Sequence, residues 1–298
     1  MTKVSVIIPS FNSYATVNKT LDAVYAQTRP DYLSEVIVVD SSEDARVQTL
    51  FWPYVRRGMK QISAGVRVIP AAARNLGARM AEGDLLAFID SDAYPTADWL
   101  ERIVAAFEDG CRAGGGSILL PEFQKLRSVP AAQFYLQFNE FMETGPRRQK
   151  DFVPSCNLFC ERHLFYEAGG FPMLRASEDV LFGLEVSRRV PFWFVPDAKV
   201  FHIFRESLKD YWDNQKLLGR YALVYRRRGL PRRFYYHGLW PLVLLPLFVL
   251  VKLGRISGRI FSSSPRRFLN YLRVFPVFTL GLWAWSLGFV QGVFSHEN

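Results

Sequence analysis

GDLLAFIDSDAYP, residues 83–95, runs five apolar residues straight into two aspartates separated by one serine. Residues 85–89 show no polar alternation, which predicts a strand covered on both faces of a sheet. On extended backbone, residues two apart point the same way, so Asp90 and Asp92 converge if strand geometry continues through them. Two close carboxylates repel, and a divalent cation with oxygen ligands offsets that repulsion. Asp and Ser are equally common in turns, and Asp-x-Asp is a short motif. The stretch is therefore a cation site or a solvated turn, and the surrounding chain has to choose.

On either side of it, strand-like and helix-like segments alternate. KVSVIIP and SEVIVVD are apolar and β-branched, and the helical spacing of Val17, Leu21, Val24 and Tyr25 lies between them. GVRVIP (65–70) predicts a third strand, AAARNLGARMAEG a helix closed by Gly83, and DLLAFID a fourth strand. TADWLERIVAAFEDG predicts a helix with Thr96 as N-cap and Gly110 at its end. Strands alternating with helices give an α/β fold with a mostly parallel central sheet covered on both faces. Ligands of such sheets bind outside the carboxyl ends of the strands, where PSFN, Asp40 and Asp90 all fall. Beyond residue 121, FVPSCNLFCERHLFYEAGGF reads as strand, turn and helix, SEDVLFGLEVSRR as a helix starting near Ser177, and FWFVPDAKVFH as two short strands ending at His202.

The chain has 298 residues and a net charge of +9, but residues 205–298 carry +11 and residues 1–204 carry −2. The positive charge belongs to the last third. Three cysteines, Cys111, Cys156 and Cys160, form no paired framework, which points to a reducing compartment. Cys156, Cys160 and His163 lack the further ligands that would complete a metal site. The N-terminus has no basic segment followed by a signal-type apolar core, so export by a cleaved signal is not expected.

VSVIIPSFN, VIVVDSSED, ARNLGARMAEGDLLAFIDSDAYP, NLFCERHLFYEAGGF, SEDVLFGLEV and VPDAKVFH, in this order, resemble the family-2 glycosyltransferases of the GT-A fold, over about residues 3–228. The resemblance implies a nucleotide-sugar donor, with Pro9 and Phe11 beside the nucleotide and Asp40 accepting from the base. Arg74 would face the nucleotide or its diphosphate, and Asp90 the ribose. Asp92 would bind Mn²⁺ or Mg²⁺, with His202 as a further metal ligand or diphosphate contact. Asp179 would be the catalytic base, with Glu178 beside it on the acceptor side. Read on their own, these residues have other uses. Arg74 can pair with Glu82 on a helix surface, Glu178 and Asp179 suit a helix N-terminus, and His202 suits a core. DSSED also replaces the family's usual DDGS-like turn after Asp40.

The departing diphosphate builds negative charge, which a divalent metal and an arginine stabilise, while a carboxylate takes the acceptor's proton. A single displacement inverts the anomeric centre. The expected domains are a catalytic domain over 1–204, with a nucleotide-sugar-binding half (1–120) and an acceptor-side half (121–204). A basic amphipathic helical segment (205–237) and membrane-associated helices (238–298) complete the chain.

Residues 238–251 form an apolar run of 14 with two prolines, shorter than the about 20 residues a spanning helix needs. Residues 274–294 form an uncharged run of 21. The connector 252–273 holds six basic residues and no acid, which keeps it cytoplasmic. The expectation is an interfacial or re-entrant helix pair broken at Pro246, with only the second run, if either, crossing. The partners implied are a nucleotide sugar, a lipid or lipid-linked acceptor and an anionic membrane surface at the cytoplasmic face of a bacterial-type inner membrane. Nucleic acid is disfavoured, because the charge borders apolar runs. A processive polysaccharide synthase is a second reading, although NQKLLGRYALVY lacks the Gln-x-x-Arg-Trp spacing, and a non-catalytic membrane scaffold is a third.

Overall fold

A computed structural model describes residues 1–44 and 46–295, and the chain divides into two compact units. Unit 1 comprises Met1–Leu119 and Gly145–His202, and unit 2 comprises Leu120–Thr144 and Ile203–Asn298, its last three residues lying outside the described ones. Residues 121–144, grouped by sequence with the acceptor-side half, thus pack with the C-terminal helices.

In unit 1 the order is β1 (Val4–Ser10), α1 (Val17–Tyr25), β2 (Leu33–Asp40), α2 (Arg46–Val55), β3 (Lys60–Ser63), α3 (Pro70–Arg79), β4 (Leu85–Phe88), β5 (Ala93–Pro95), α4 (Trp99–Glu108) and β6 (Ala113–Leu119). After α5 (Ser128–Phe138), which belongs to unit 2, come β7 (Arg148–Gln149), β8 (Leu158–Glu161), α6 (Arg162–Glu167), α7 (Glu178–Ser187) and β9 (Phe192–His202). The sheet runs β3-β2-β1-β4-β8-β6-β9-β5, with β7 beside β9. The first four strands are parallel; β1, β2 and β4 are buried at their centre, as their apolar sequences require, while β3 is a partly exposed edge strand. β8 enters antiparallel between β4 and β6.

Three expectations change. The third strand is Lys60–Ser63, not GVRVIP. Gly65 takes a φ of +71° and Val66 is exposed, so the chain turns there before entering α3. Thr96 is not the N-cap of α4; Asp98 is, and Thr96 Oγ1 donates to Asp98 Oδ1 at 2.8 Å. FWFVPDAKVFH is one 11-residue strand, with a register break where Gly116 gives way to Ser117 on the facing β6.

That facing strand carries three consecutive glycines. A Cβ on Gly114, Gly115 or Gly116 would lie 2.2, 2.0 and 1.7 Å from the carbonyl oxygens of Trp193, Asn157 and Ala198. Only glycine lets the three backbones approach so closely. The Asn157 side chain then bonds the Ser117 and Ala198 carbonyls and accepts from Trp99 Nε1, which pins the 155–157 turn.

Unit 2 is helical: α5, α8 (Leu208–Gly229), α9 (Trp240–Val243), α10 (Leu245–Ser263) and α11 (Pro265–Phe294). Ser207 caps α8, its hydroxyl accepting from Asp210 N–H. Pro246 stands in the first turn of α10, where its missing N–H costs nothing, so the break between α9 and α10 falls where the sequence places it. The core of unit 2 is rich in aromatic residues, with Phe134, Tyr135, Phe204, Tyr271 and Phe278 packed together.

Candidate active site

β4 ends at Phe88, so the alternation that would aim Asp90 and Asp92 the same way stops before them. The DSD segment is a turn closed by Ala93 N–H donating to Asp90 O, and Ser91 is its anchor. The Ser91 hydroxyl meets Ser13 Oγ at 2.6 Å and its carbonyl accepts from Thr20 Oγ1 at 3.1 Å. The turn therefore hands its two acids to different partners.

Asp90 receives Arg74, whose Nη2 lies 2.6 Å from Asp90 Oδ1 while Nη1 lies 2.6 Å from Glu178 Oε1. Arg74 sits on α3, whose start at the strand ends points its first turns into the site. It does not reach Glu82, which pairs with Lys60. Burial opposes the charge of Arg74, but the two carboxylates more than offset it and hold the guanidinium protonated. Its Nε is buried with no hydrogen-bond partner among the described residues. Asp92 approaches His202 at the end of β9, with Oδ1 3.6 Å from Nε2.

Glu178 and Asp179 open α7 after Ser177, which holds a left-handed φ of 62°. Both carboxyls are pushed above the ordinary carboxylate range, Glu178 by burial and the charge of Asp179, and Asp179 by burial. Asp179 Oδ2 accepts from Ser155 N–H at 3.1 Å and Oδ1 from Val180 N–H at 2.8 Å. These two bonds orient the carboxylate and occupy only half of its lone-pair sites.

Cys156 belongs here, and the sequence reading missed it. Its Sγ, an Asp90 carboxylate oxygen and a His202 ring nitrogen lie within 4.8 Å of one another. Neither Cys160, buried in β8, nor His163, which faces Glu167 at 3.2 Å, shares that cluster. Burial and the nearby carboxylates push the Cys156 thiol up. No local sequence signal pointed to Cys156, because its place is set by the turn that Asn157 pins from distant segments.

Asp40, buried at the end of β2, accepts from Ser42 Oγ at 2.8 Å, and Ser42 Oγ accepts from Asn12 N–H. This hydroxyl bridge is how DSSED joins the β2 turn to the segment after β1. Pro9 lies in β1 opposite Val39, and Phe11 just beyond it is partly exposed, with the Arg67 guanidinium 4.4 Å from its ring centre. Arg67 is a second cation on this edge that the sequence did not single out, because it falls in the segment read as a strand.

Two groups of donors meet at His202: Asp92 at 3.6 Å, and Asp90 with Cys156 within 4.8 Å. Carboxylate oxygens beside an imidazole suit a divalent cation, and Cys156 adds a softer donor.

Residues 5–177 match the family model described as glycosyl transferase family 2. Glycosyltransferase AglE of Haloferax volcanii is 31% identical over 176 residues, covering 57% of this chain and 56% of that protein. A pre-mycofactocin glycosyltransferase of Mycobacterium tuberculosis is 27% identical over 255 residues, covering 76% of this chain and 52% of its own. The chain spans about half the length of these curated relatives. A mannosyltransferase from Pyrobaculum calidifontis, solved in complex with GDP-Man and Mn²⁺, superposes with a TM-score of 0.65 at 19% identity, over 98% of this chain and 87% of that one.

Proposed function

The chain belongs to glycosyl transferase family 2 and has the GT-A fold, and from that premise we propose that it is an inverting, metal-dependent glycosyltransferase. It moves a sugar from a nucleoside diphosphate donor, a UDP-sugar being favoured, to a hydroxyl of a lipid or lipid-linked saccharide at the cytoplasmic membrane face. The observation that carries this reading is the Arg74 bridge. One buried guanidinium ties the strand-end turn holding Asp90 to the helix start holding Glu178 and Asp179. Donor-side and acceptor-side acids are thereby held in one charge network.

In this reading Pro9 and Phe11 flank the nucleotide and Asp40 accepts from the base. Asp90 binds the ribose, and Arg74 holds positive charge toward the diphosphate. A bound Mn²⁺ or Mg²⁺, held by Asp92 and His202, supplies Lewis-acid stabilisation of the departing diphosphate. Asp179 takes the acceptor's proton as the acceptor oxygen bonds to the anomeric carbon and the bond to the diphosphate oxygen breaks. One displacement inverts the centre. The basic, apolar composition of unit 2 supports the membrane acceptor.

The test is release of nucleoside diphosphate from a panel of UDP-, GDP- and dTDP-sugars with added membrane lipid and Mn²⁺. One donor should turn over, with turnover lost in Asp92→Ala and lowered about 10²- to 10⁴-fold in Asp179→Asn. Because Asp179 must be ionised and its carboxyl is raised, the rate should fall as pH drops, beginning above the pH at which an ordinary aspartate protonates. Nucleotide binding with full turnover in Asp179→Asn would remove the base assignment.

A further inference from the structure

α10 turns two of its three charges inward and an apolar stripe outward. Leu247, Leu250, Val251 and Phe261 are 49–67% exposed and recur at helical spacing, with Gly254 and Gly258 exposed on the same stripe. The opposite face packs Ile256 and Ile260 into the core of unit 2. Two of the helix's basic residues also face inward: Arg259 meets Glu140 at 2.7 Å, and Lys252 Nζ lies 4.7 Å from the Trp285 ring centre. Immediately before α10, Phe234, Leu239, Trp240 and Val243 add to the exposed apolar surface.

α11, the one described helix long and apolar enough to cross a membrane, packs one face against α8, leaving Trp283 and Phe294 exposed. A Cβ on Gly288 would lie 1.9 Å from Lys216 O, and one on Gly219 would lie 1.9 Å from Trp285 O, so α8 and α11 touch backbone to backbone. α8 carries eight charged residues. If α11 crossed, α8 would enter the hydrocarbon with it, at about 2.5–3.5 kcal/mol or more for each charge near the centre.

We propose that unit 2 is a monotopic anchor. Residues 234–263 lie flat in the interface of an anionic bilayer, the outward stripe of α10 reaches the acyl boundary, and no segment crosses. This rests on the membrane-face reading above and replaces its option of a spanning second run. Charge selects the occupant. Arg232, Arg233, Arg255 and Arg266 are exposed around this surface, while residues 203–295 hold only three acids. A second copy would set cations against cations, whereas anionic headgroups attract each basic residue by about 1 kcal/mol.

The experiment is flotation of the full-length chain with phosphatidylcholine vesicles, with and without phosphatidylglycerol, using wild type and the Leu250→Glu/Phe261→Glu variant. Wild type should float with the anionic vesicles, and the variant should bind about tenfold more weakly or worse. Ser264→Cys and Ser295→Cys, which flank α11, should both react with an impermeant maleimide from the outer side of those vesicles. Equal flotation of wild type and variant, or labelling of the two cysteines from opposite sides, would overturn the proposal. So would a lipid-free dimer dissolved by the two glutamates, which would make a second copy the occupant. Donor hydrolysis in detergent, measured on the same samples, separates this from the transferase reading: its absence in wild type would sink that reading and leave the flotation result intact.

Discussion

Unit 1 and unit 2 each pair an inward-facing arginine with a carboxylate, and they do so with opposite outer surfaces. In unit 1, Arg74 is almost wholly buried between Asp90 and Glu178, beneath a sheet whose apolar residues are inside. In unit 2, Arg259 of α10 and Glu140 are each about 30% exposed, and α10 leaves an apolar stripe facing out. Pairing offsets the cost of burying Arg74, whereas the part-exposed Arg259 pair stays screened by water. The difference lies in the surface: unit 1 keeps the apolar residues of its sheet inside, whereas α10 of unit 2 leaves an apolar stripe exposed.

The comparison breaks most readily at Arg74. Arg74→Met leaves the buried Glu178 and the part-buried Asp90 without their shared cation and should destabilise the protein by about 3–5 kcal/mol, read from denaturant unfolding. A loss below about 1 kcal/mol would show that the bridge does not hold α3 to the start of α7. Next in size is the α8–α11 contact. Gly288→Leu forces a side chain against the Lys216 carbonyl and should cost about 1–3 kcal/mol, seen as a lower Tm; an unchanged Tm would mean that the helices separate easily and would reopen the crossing option for α11. The smallest effect belongs to Arg259→Met, expected to cost about 1 kcal/mol or less because water screens the pair. A cost as large as that of Arg74→Met would abolish the contrast between the two units.

Legibility followed burial. β1, β2 and β4 are covered on both faces, so their apolar runs announced them. β3 pairs only with β2, and as an edge strand it reads KQIS, a polar sequence that leaves no run to find. The apolar residues of GVRVIP drew the strand assignment to a turn instead. The candidate acids were legible because strand ends are legible, and Asp90, Asp92, Asp179 and His202 do fall at strand or helix boundaries. Cys156 was not, since its nearness to Asp90 and His202 depends on a turn pinned by Asn157 from three separate segments.

The amino-acid order by itself determined the α/β alternation, the strand-end position of the acids and the charge asymmetry between the first two-thirds and the last third, because each depends on neighbours close in the chain. Tertiary structure alone decided which acids Arg74 meets, one 16 and the other 104 residues away. It also decided which way α10 faces. An amphipathic helix has the same periodicity whether its apolar stripe points into a core or out of it; the direction is set by the partners packed on its other side.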